Sequence, residues 1–288
     1  MNSLSELQKQ LINHYLHVCR LDVESLKPGN ISVHADAKDL SVDAFLSSAK
    51  VSAEPITELQ SALGLRILNA ITATEAAVHT NTNLGMVLLM APLVQAKLEM
   101  VENESIEASL SRALNRTSIQ DARHVYQAIR LSNPGGMGQK DNQDISQEPT
   151  ITLLNSMNIA ADWDQIAAQY SNNFKEIFSF GVPKYRTLMS KWQDEKWATT
   201  GVFVSYLAHY PDSLIERKFG LLKAREISDM ISDLEMELYR SDSPSRYEAQ
   251  LLEIDRHLKR NLINPGTSAD LTAASIFAAG LTSSVGQL

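Results

Sequence analysis

The sequence predicts an all-α fold, a multi-helix bundle in a single domain spanning 1–288, on three observations. Apolar residues recur at three- and four-residue spacing along most of the chain. β-Branched residues are too scattered for alternating strands. Proline, glycine, serine, asparagine and aspartate punctuate the periodic segments.

The elements follow in order. Ser3 and Glu6 form a capping-box pattern ahead of Leu7, Leu11, Tyr15, Leu16 and Cys19, which predicts a first helix ending before Lys27-Pro28-Gly29. A second helix is expected over Asp39 to about Ala53, ended by Pro55, and a long third one carries Leu59, Leu63, Ile67, Ala70 and Ile71. Leu84 to about Val101 reads as a buried core helix kinked at Pro92, and its apolar run is too short to span a bilayer. Ser118 to Leu131 repeats Ile119, Ala122, Val125 and Ile129, and 138–149 is acidic and apolar-poor, hence a loop. Helices are then expected at about 150–180, 196–209, 212–240, 245–260 and 268–282.

Composition sets limits on function. Hydrophobic residues make up 44% and charged residues 21%, as in a soluble globular protein, and the net charge of -8 argues against nucleic acid or an anionic membrane as partner. Any bound anion needs a local constellation of donors. Cys19 is the sole cysteine, so no disulfide or cysteine-based zinc site forms within one chain, and the N-terminus has no signal-peptide pattern. Both point to the cytoplasm, and a homodimer is compatible with the sequence.

Polar, glycine-bearing junctions carry the candidate chemistry. In Asn264-Pro265-Gly266-Thr267-Ser268-Ala269-Asp270-Leu271 a turn precedes an apolar helix. Thr267 or Ser268 can cap that helix, and its first N–H groups can face a phosphate. Asp270, expected in the first turn, would repel a bare phosphate but accept one carrying Mg2+. Lys27-Pro28-Gly29-Asn30 sets an ammonium beside a turn of backbone donors. Between Ala73 and Gly85, His79 suits a general base, and Asn81 and Asn83 suit a ribose or phosphate oxygen. Gly135 and Gly136 stand in a loop without the Walker spacing, followed by Asp141 and Asp144, whose carboxylates suit a hard divalent cation. Asp212 is a plausible N-cap, and Arg217 and Lys218 follow one to two turns on, where they reach an anion or pair with Glu216 and Asp212. Singly, each junction also fits a capped or solvated turn. Together they suggest loops converging on one polyanionic ligand.

The stretches KPGN (27–30), FLSSA (45–49), NTNLG (81–85), VYQAIRLSNPGGMG (125–138), PDSLIERKFG (211–220) and NPGTSADL (264–271), in this order, resemble the triphosphoribosyl-dephospho-CoA synthase family over nearly the whole chain. The resemblance implies an all-helical transferase with its active site formed by interhelix loops. It implies that C1 of the ATP ribose is attacked, that adenine leaves, and that the triphosphoribosyl unit passes to the ribose hydroxyl of 3-dephospho-CoA or a related cofactor precursor. It assigns Lys27, Gly29, Asn30, Asn81, Asn83, Gly85, Gly135, Gly136, Arg217, Lys218, Gly266, Thr267 and Ser268 to nucleotide and phosphate. Asp141, Asp144 and Asp270 fall to Mg2+, and His79 or Asp212 to catalysis. Where citrate- and malonate-pathway members carry Thr-His-Lys-Gly and Arg-Gly-Glu, this chain has Thr82-Asn83-Leu84-Gly85 and Pro134-Gly135-Gly136, and so looks more like the divergent archaeal and methylotroph branch. Alternative readings are a transferase or hydrolase of pterin-linked one-carbon cofactor biosynthesis, and a non-enzymatic nucleotide-binding protein.

Overall fold

The computed structural model describes residues 4–34, 42–135 and 144–282. Among them run α1 (Glu6–Glu24), α2 (Val42–Thr57), α3 (Leu63–Val78), α4 (Leu84–Glu99), α5 (Ile106–Asn115), α6 (Ile119–Ser132), α7 (Leu153–Ala160) and α8 (Gln165–Ser171). They continue as α9 (Val182–Trp192), α10 (Glu195–His209), α11 (Ser213–Phe219), α12 (Leu221–Arg240), α13 (Glu248–Arg260) and α14 (Gly266–Leu281), with a π turn at Ile177–Gly181 and a 3-10 turn at Pro244–Tyr247. The described residues form no strand, so the all-α expectation holds. None of the described helices is long and apolar enough to cross a membrane.

The chain forms two compact units by contact. Among the described residues, unit 1 comprises 4–17, 46–135, 144–175 and 280–282, and unit 2 comprises 18–34, 42–45 and 176–279.

In unit 1, α3 packs on α6 and α4, α4 on α5 and α8, and α7 on α6 and α8. From Met86 to Ala96 every residue of α4 is buried, as an all-round apolar helix requires. Pro92 sits inside that helix and lacks the N–H that would bond the Leu88 carbonyl, so the Tyr170 hydroxyl donates there instead, at 2.6 Å. Gly64 lets α3 approach α6 closely, since a Cβ there would stand 2.4 Å from the Asp121 backbone, and the Gly64 N–H donates to Asp121 Oδ1 at 2.8 Å. Arg66 is fully buried and donates to Ile56 O, Ser61 O and Gln95 Oε1. Burial lowers its pKa to about 10.

In unit 2, α10 packs on α9 and α12, and α11 on α12. Its core gathers Phe203, Leu207, Ile215, Ile227, Ile231, Leu251 and Leu258.

Several boundaries differ from expectation for local reasons. Ser3 lies outside the described residues, and Ser5 accepts the Gln8 N–H at the start of α1. Pro55 lies within α2 rather than ending it. The segment expected as one helix over 150–180 breaks because Asp164 caps a new start and Asn173 and Phe174 both take positive φ. Pro183 follows the π turn, in which the Val182 N–H bonds Ile177 O, so Gly181-Val182-Pro183 continues a helical run instead of marking a gap. The helix expected over 212–240 is two, parted at Gly220 with φ +89°. Of the expected 138–149 loop, residues 144–149 carry no helix or strand, and 138–143 lie outside the described residues. Asp270, expected in a first turn, is the fifth residue of α14, because that helix starts at Gly266.

Candidate functional site

Three of the sequence motifs meet inside unit 2. Gly29 takes φ +82°, and a Cβ there would stand 2.9 Å from Ile263 O and from Pro265 Cδ, so only glycine lets the KPGN turn press against the chain entering α14. The Gly29 N–H donates to Asp255 Oδ1 at 2.9 Å, an oxygen that also lies 3.0 Å from Lys259 Nζ. Asn30 Nδ2 donates to Asn264 Oδ1 at 2.8 Å, joining KPGN directly to NPGTSADL.

Lys27 is buried beneath this turn. Its Nζ donates to Asn30 Oδ1 at 2.7 Å and forms an ion pair with Asp22 Oδ1, also at 2.7 Å. Burial pushes the Lys27 pKa down and the Asp22 pKa up, while each partner's charge pulls the other back toward its ionised form. Asp270 adds a second, weaker attraction on the Lys27 ammonium. The expected reach of Lys27 to a phosphate gives way to this internal role, because the side chain has no exposed surface.

PDSLIERKFG enters through one carboxylate. Asp212 Oδ1 accepts the Leu214 and Ile215 N–H groups at 2.9 and 3.1 Å and so caps α11, while Oδ2 accepts the Ser268 N–H and hydroxyl at 2.7 and 2.8 Å in the first turn of α14. One side chain thus satisfies donors of two helix starts. Burial raises its pKa, and these hydrogen bonds pull it back only in part. Asp212 and Ser268 are therefore committed to each other, which corrects the expectation of a catalytic base and a phosphate ligand: a fully buried carboxylate with four donors has no site left for a proton from substrate. Thr267 Oγ1 lies 3.1 Å from Ser213 Oγ, and a Cβ on Gly266 would meet Leu214 at 2.7 Å. Arg217 and Lys218 are exposed on α11.

Unit 1 holds the second group. Asn83 is buried at the start of α4, where its Oδ1 accepts from Thr74 Oγ1 at 3.2 Å and its Nδ2 donates to Ser52 Oγ at 3.2 Å. Ser52 in turn lies 2.9 Å from the Tyr15 hydroxyl. Thr82 bonds Ser48, so FLSSA and NTNLG are joined side chain to side chain. Asn83 is thereby spoken for within the protein, whereas Asn81 accepts the Leu84 N–H at 3.3 Å through Oδ1 and Gly85 lies in the first turn of α4. His79 is exposed and ends α3 in a left-handed conformation, φ 52°. Gly135 is exposed just past α6. Asp144 is buried and its Oδ1 accepts the Ser146 N–H at 2.8 Å and hydroxyl at 2.6 Å. Gly136 and Asp141 lie outside the described residues.

Among the described residues no group of three or more His, Cys, Asp or Glu side chains could hold a metal ion, so they build no cage of protein ligands. Asp270 lies part-exposed on α14. Sequence reasoning passed over Asp22 and Asp255 and gave Asn264, within its singled-out stretch, no role of its own. Asp255 stands 226 residues from its Gly29 partner, a pairing that no spacing in the sequence announces.

The family model for ATP:dephospho-CoA triphosphoribosyl transferase matches residues 9–287. The chain belongs to that family. The transferase is also similar to a solved structure from Archaeoglobus fulgidus, provisionally named a triphosphoribosyl-dephospho-CoA synthase, with 27% sequence identity, a TM-score of 0.64, and coverage of 83% of this chain and 99% of that one. No curated protein matches it. The transferase moves the triphosphoribosyl unit of ATP to dephospho-CoA.

Proposed function

We propose that the loop cluster of unit 2 seats the triphosphate of magnesium-bound ATP while the ribose C1 passes from adenine to the acceptor hydroxyl. The observation that supports this most directly is the meeting of KPGN, PDSLIERKFG and NPGTSADL around Gly29, Asp212 and Ser268, which brings together residues more than 230 positions apart, as the 234-residue separation of Asn30 and Asn264 attests. Asn30, Gly29, Gly266 and Thr267 shape the seat, Arg217 and Lys218 offer charge, and Asp270 meets the magnesium ion.

Transfer at C1 passes through an oxocarbenium-like state, so the protein has to orient the acceptor oxygen, take its proton, and let adenine leave protonated. In unit 1, His79 is exposed and is the candidate base, and Asn81 and Gly85 are candidates for contacts to the nucleotide. The acceptor is 3-dephospho-CoA.

Incubation with ATP, Mg2+ and dephospho-CoA, followed by chromatography for free adenine, tests the reading. Adenine that appears only with the acceptor is the expected result. Adenine released without acceptor would mean hydrolysis, and no adenine at all would overturn the transfer.

A further inference from the structure

The contacts from Lys27 to Asn264 have a fixed polarity. A lysine ammonium can only donate, so the Asn30 atom 2.7 Å from Lys27 Nζ is Oδ1, and Asn30 must turn Nδ2 toward Asn264. The Asn264 atom that receives this N–H at 2.8 Å is then Oδ1. Its Nδ2 group is left pointing away from Asn30, makes no hydrogen bond among the described residues, and belongs to a side chain that is part-exposed. The amide lies beside Gly266: a Cβ built there would come within 3.8 Å of Oδ1 and 3.9 Å of Nδ2. Lys27 Nζ also lies 2.7 Å from the Asp22 carboxylate, which anchors it beneath the turn.

We infer that Asn264 is a substrate contact whose Nδ2 donates to an oxygen of the ATP triphosphate, and that the buried Asp22, Lys27 and Asn30 hold this donor outward as positioning residues. The inference rests on the proposed seating of ATP in unit 2. An amide N–H suits the place, because phosphate oxygens accept hydrogen bonds.

Three substitutions read the device. Asn264→Ala deletes the donor. Asn264→Asp replaces it with an oxygen of nearly the same shape. Asn30→Asp leaves Asn264 chemically intact but faces it with a carboxylate, so Asn264 has to rotate its amide to donate inward and turns Oδ1 toward the substrate.

In steady-state kinetics with ATP varied at saturating dephospho-CoA, Asn264→Ala raises the ATP KM about ten-fold, the loss of one hydrogen bond to a charged group, with kcat and the dephospho-CoA KM within about two-fold of wild type. Asn264→Asp and Asn30→Asp raise it further. The double variant Asn30→Asp/Asn264→Ala behaves as Asn264→Ala alone, because Asn30 then has no amide to turn. A wild-type ATP KM in Asn264→Ala, a change confined to dephospho-CoA, or additive effects in the double variant would overturn the inference. Calorimetric ATP binding to wild type and Asn264→Ala separates this from the reaction itself: a wild-type protein that binds ATP but releases no adenine defeats the transfer, while equal ATP affinity in the two proteins defeats only the role of Asn264.

Discussion

The Tyr170 hydroxyl donates to the Leu88 carbonyl at 2.6 Å, the acceptor that Pro92 leaves without its helical partner. Both side chains are buried, so no water stands ready to replace the bond. Tyr170→Phe therefore leaves a buried carbonyl unpaired and lowers the unfolding free energy by about 2 kcal/mol. In a Pro92→Ala background the new Ala N–H can take Leu88 O, and the cost of Tyr170→Phe shrinks to under about 1 kcal/mol. Urea unfolding of the four proteins of this cycle is the measurement. Equal costs in both backgrounds would show that Tyr170 does not substitute for the proline's missing donor.

Asp212 caps α11 with one oxygen and serves α14 with the other. Asp212→Ala frays two helix starts at once and lowers the unfolding free energy by about 3 kcal/mol, whereas Ser268→Ala removes only the hydroxyl and costs about 1 kcal/mol. Chemical denaturation separates the two. If Asp212→Ala lost turnover with no loss of stability, Asp212 would return to the chemistry.

Asp270 is part-exposed, in contrast to fully buried Asp212, and its charge attracts the Lys27 ammonium. Asp270→Asn keeps its size and removes the charge available to magnesium. Adenine release falls by two orders of magnitude or more, while the far-ultraviolet circular dichroism and the melting temperature stay near wild type. Undiminished activity would take Asp270 off the metal.

What could be read from sequence divides along physical lines. Helix starts were legible where a short polar side chain announces them: Ser118 forms a full capping box with Asp121, and Asp212 caps α11. The α4 core helix was legible because no polar face interrupts it. α5 and α9 were not, since α5 holds only ten residues in a polar setting and Pro183 looks like a breaker until the π turn before it is known. In the site, turn chemistry marked the junctions around 29, 82, 136 and 268 for one ligand, and those around 29 and 268 meet in unit 2. The direction of each side chain was hidden. A lysine beside a Pro-Gly turn is equally good at meeting phosphate or bracing the turn from beneath, and only the buried partner Asp22 decides between them.

Glu235 supplies a pH test of unit 2. Its Oε1 accepts from Ser205 Oγ at 2.7 Å and Lys184 Nζ at 3.0 Å, and His209 Nε2 lies 3.8 Å away. Burial raises the pKa of this carboxyl, but the hydrogen bonds from Ser205 and Lys184 and the neighbouring positive charge outweigh it, and the net shift is below the ordinary 4.5. A carboxylate held lower in the fold than in the open chain stabilises the protein at any pH above 4.5 and loses that contribution as pH falls through its folded value. Glu235→Gln should thus be less stable than wild type at pH 7. The gap between the two should narrow once pH drops below about 4.5, where the wild-type carboxyl gains its proton. Urea unfolding of both proteins from pH 7 down to about pH 3.5 measures the gap. A gap that stays constant across the range would assign the cost of Glu235→Gln to lost packing and hydrogen-bond geometry, not to the charge.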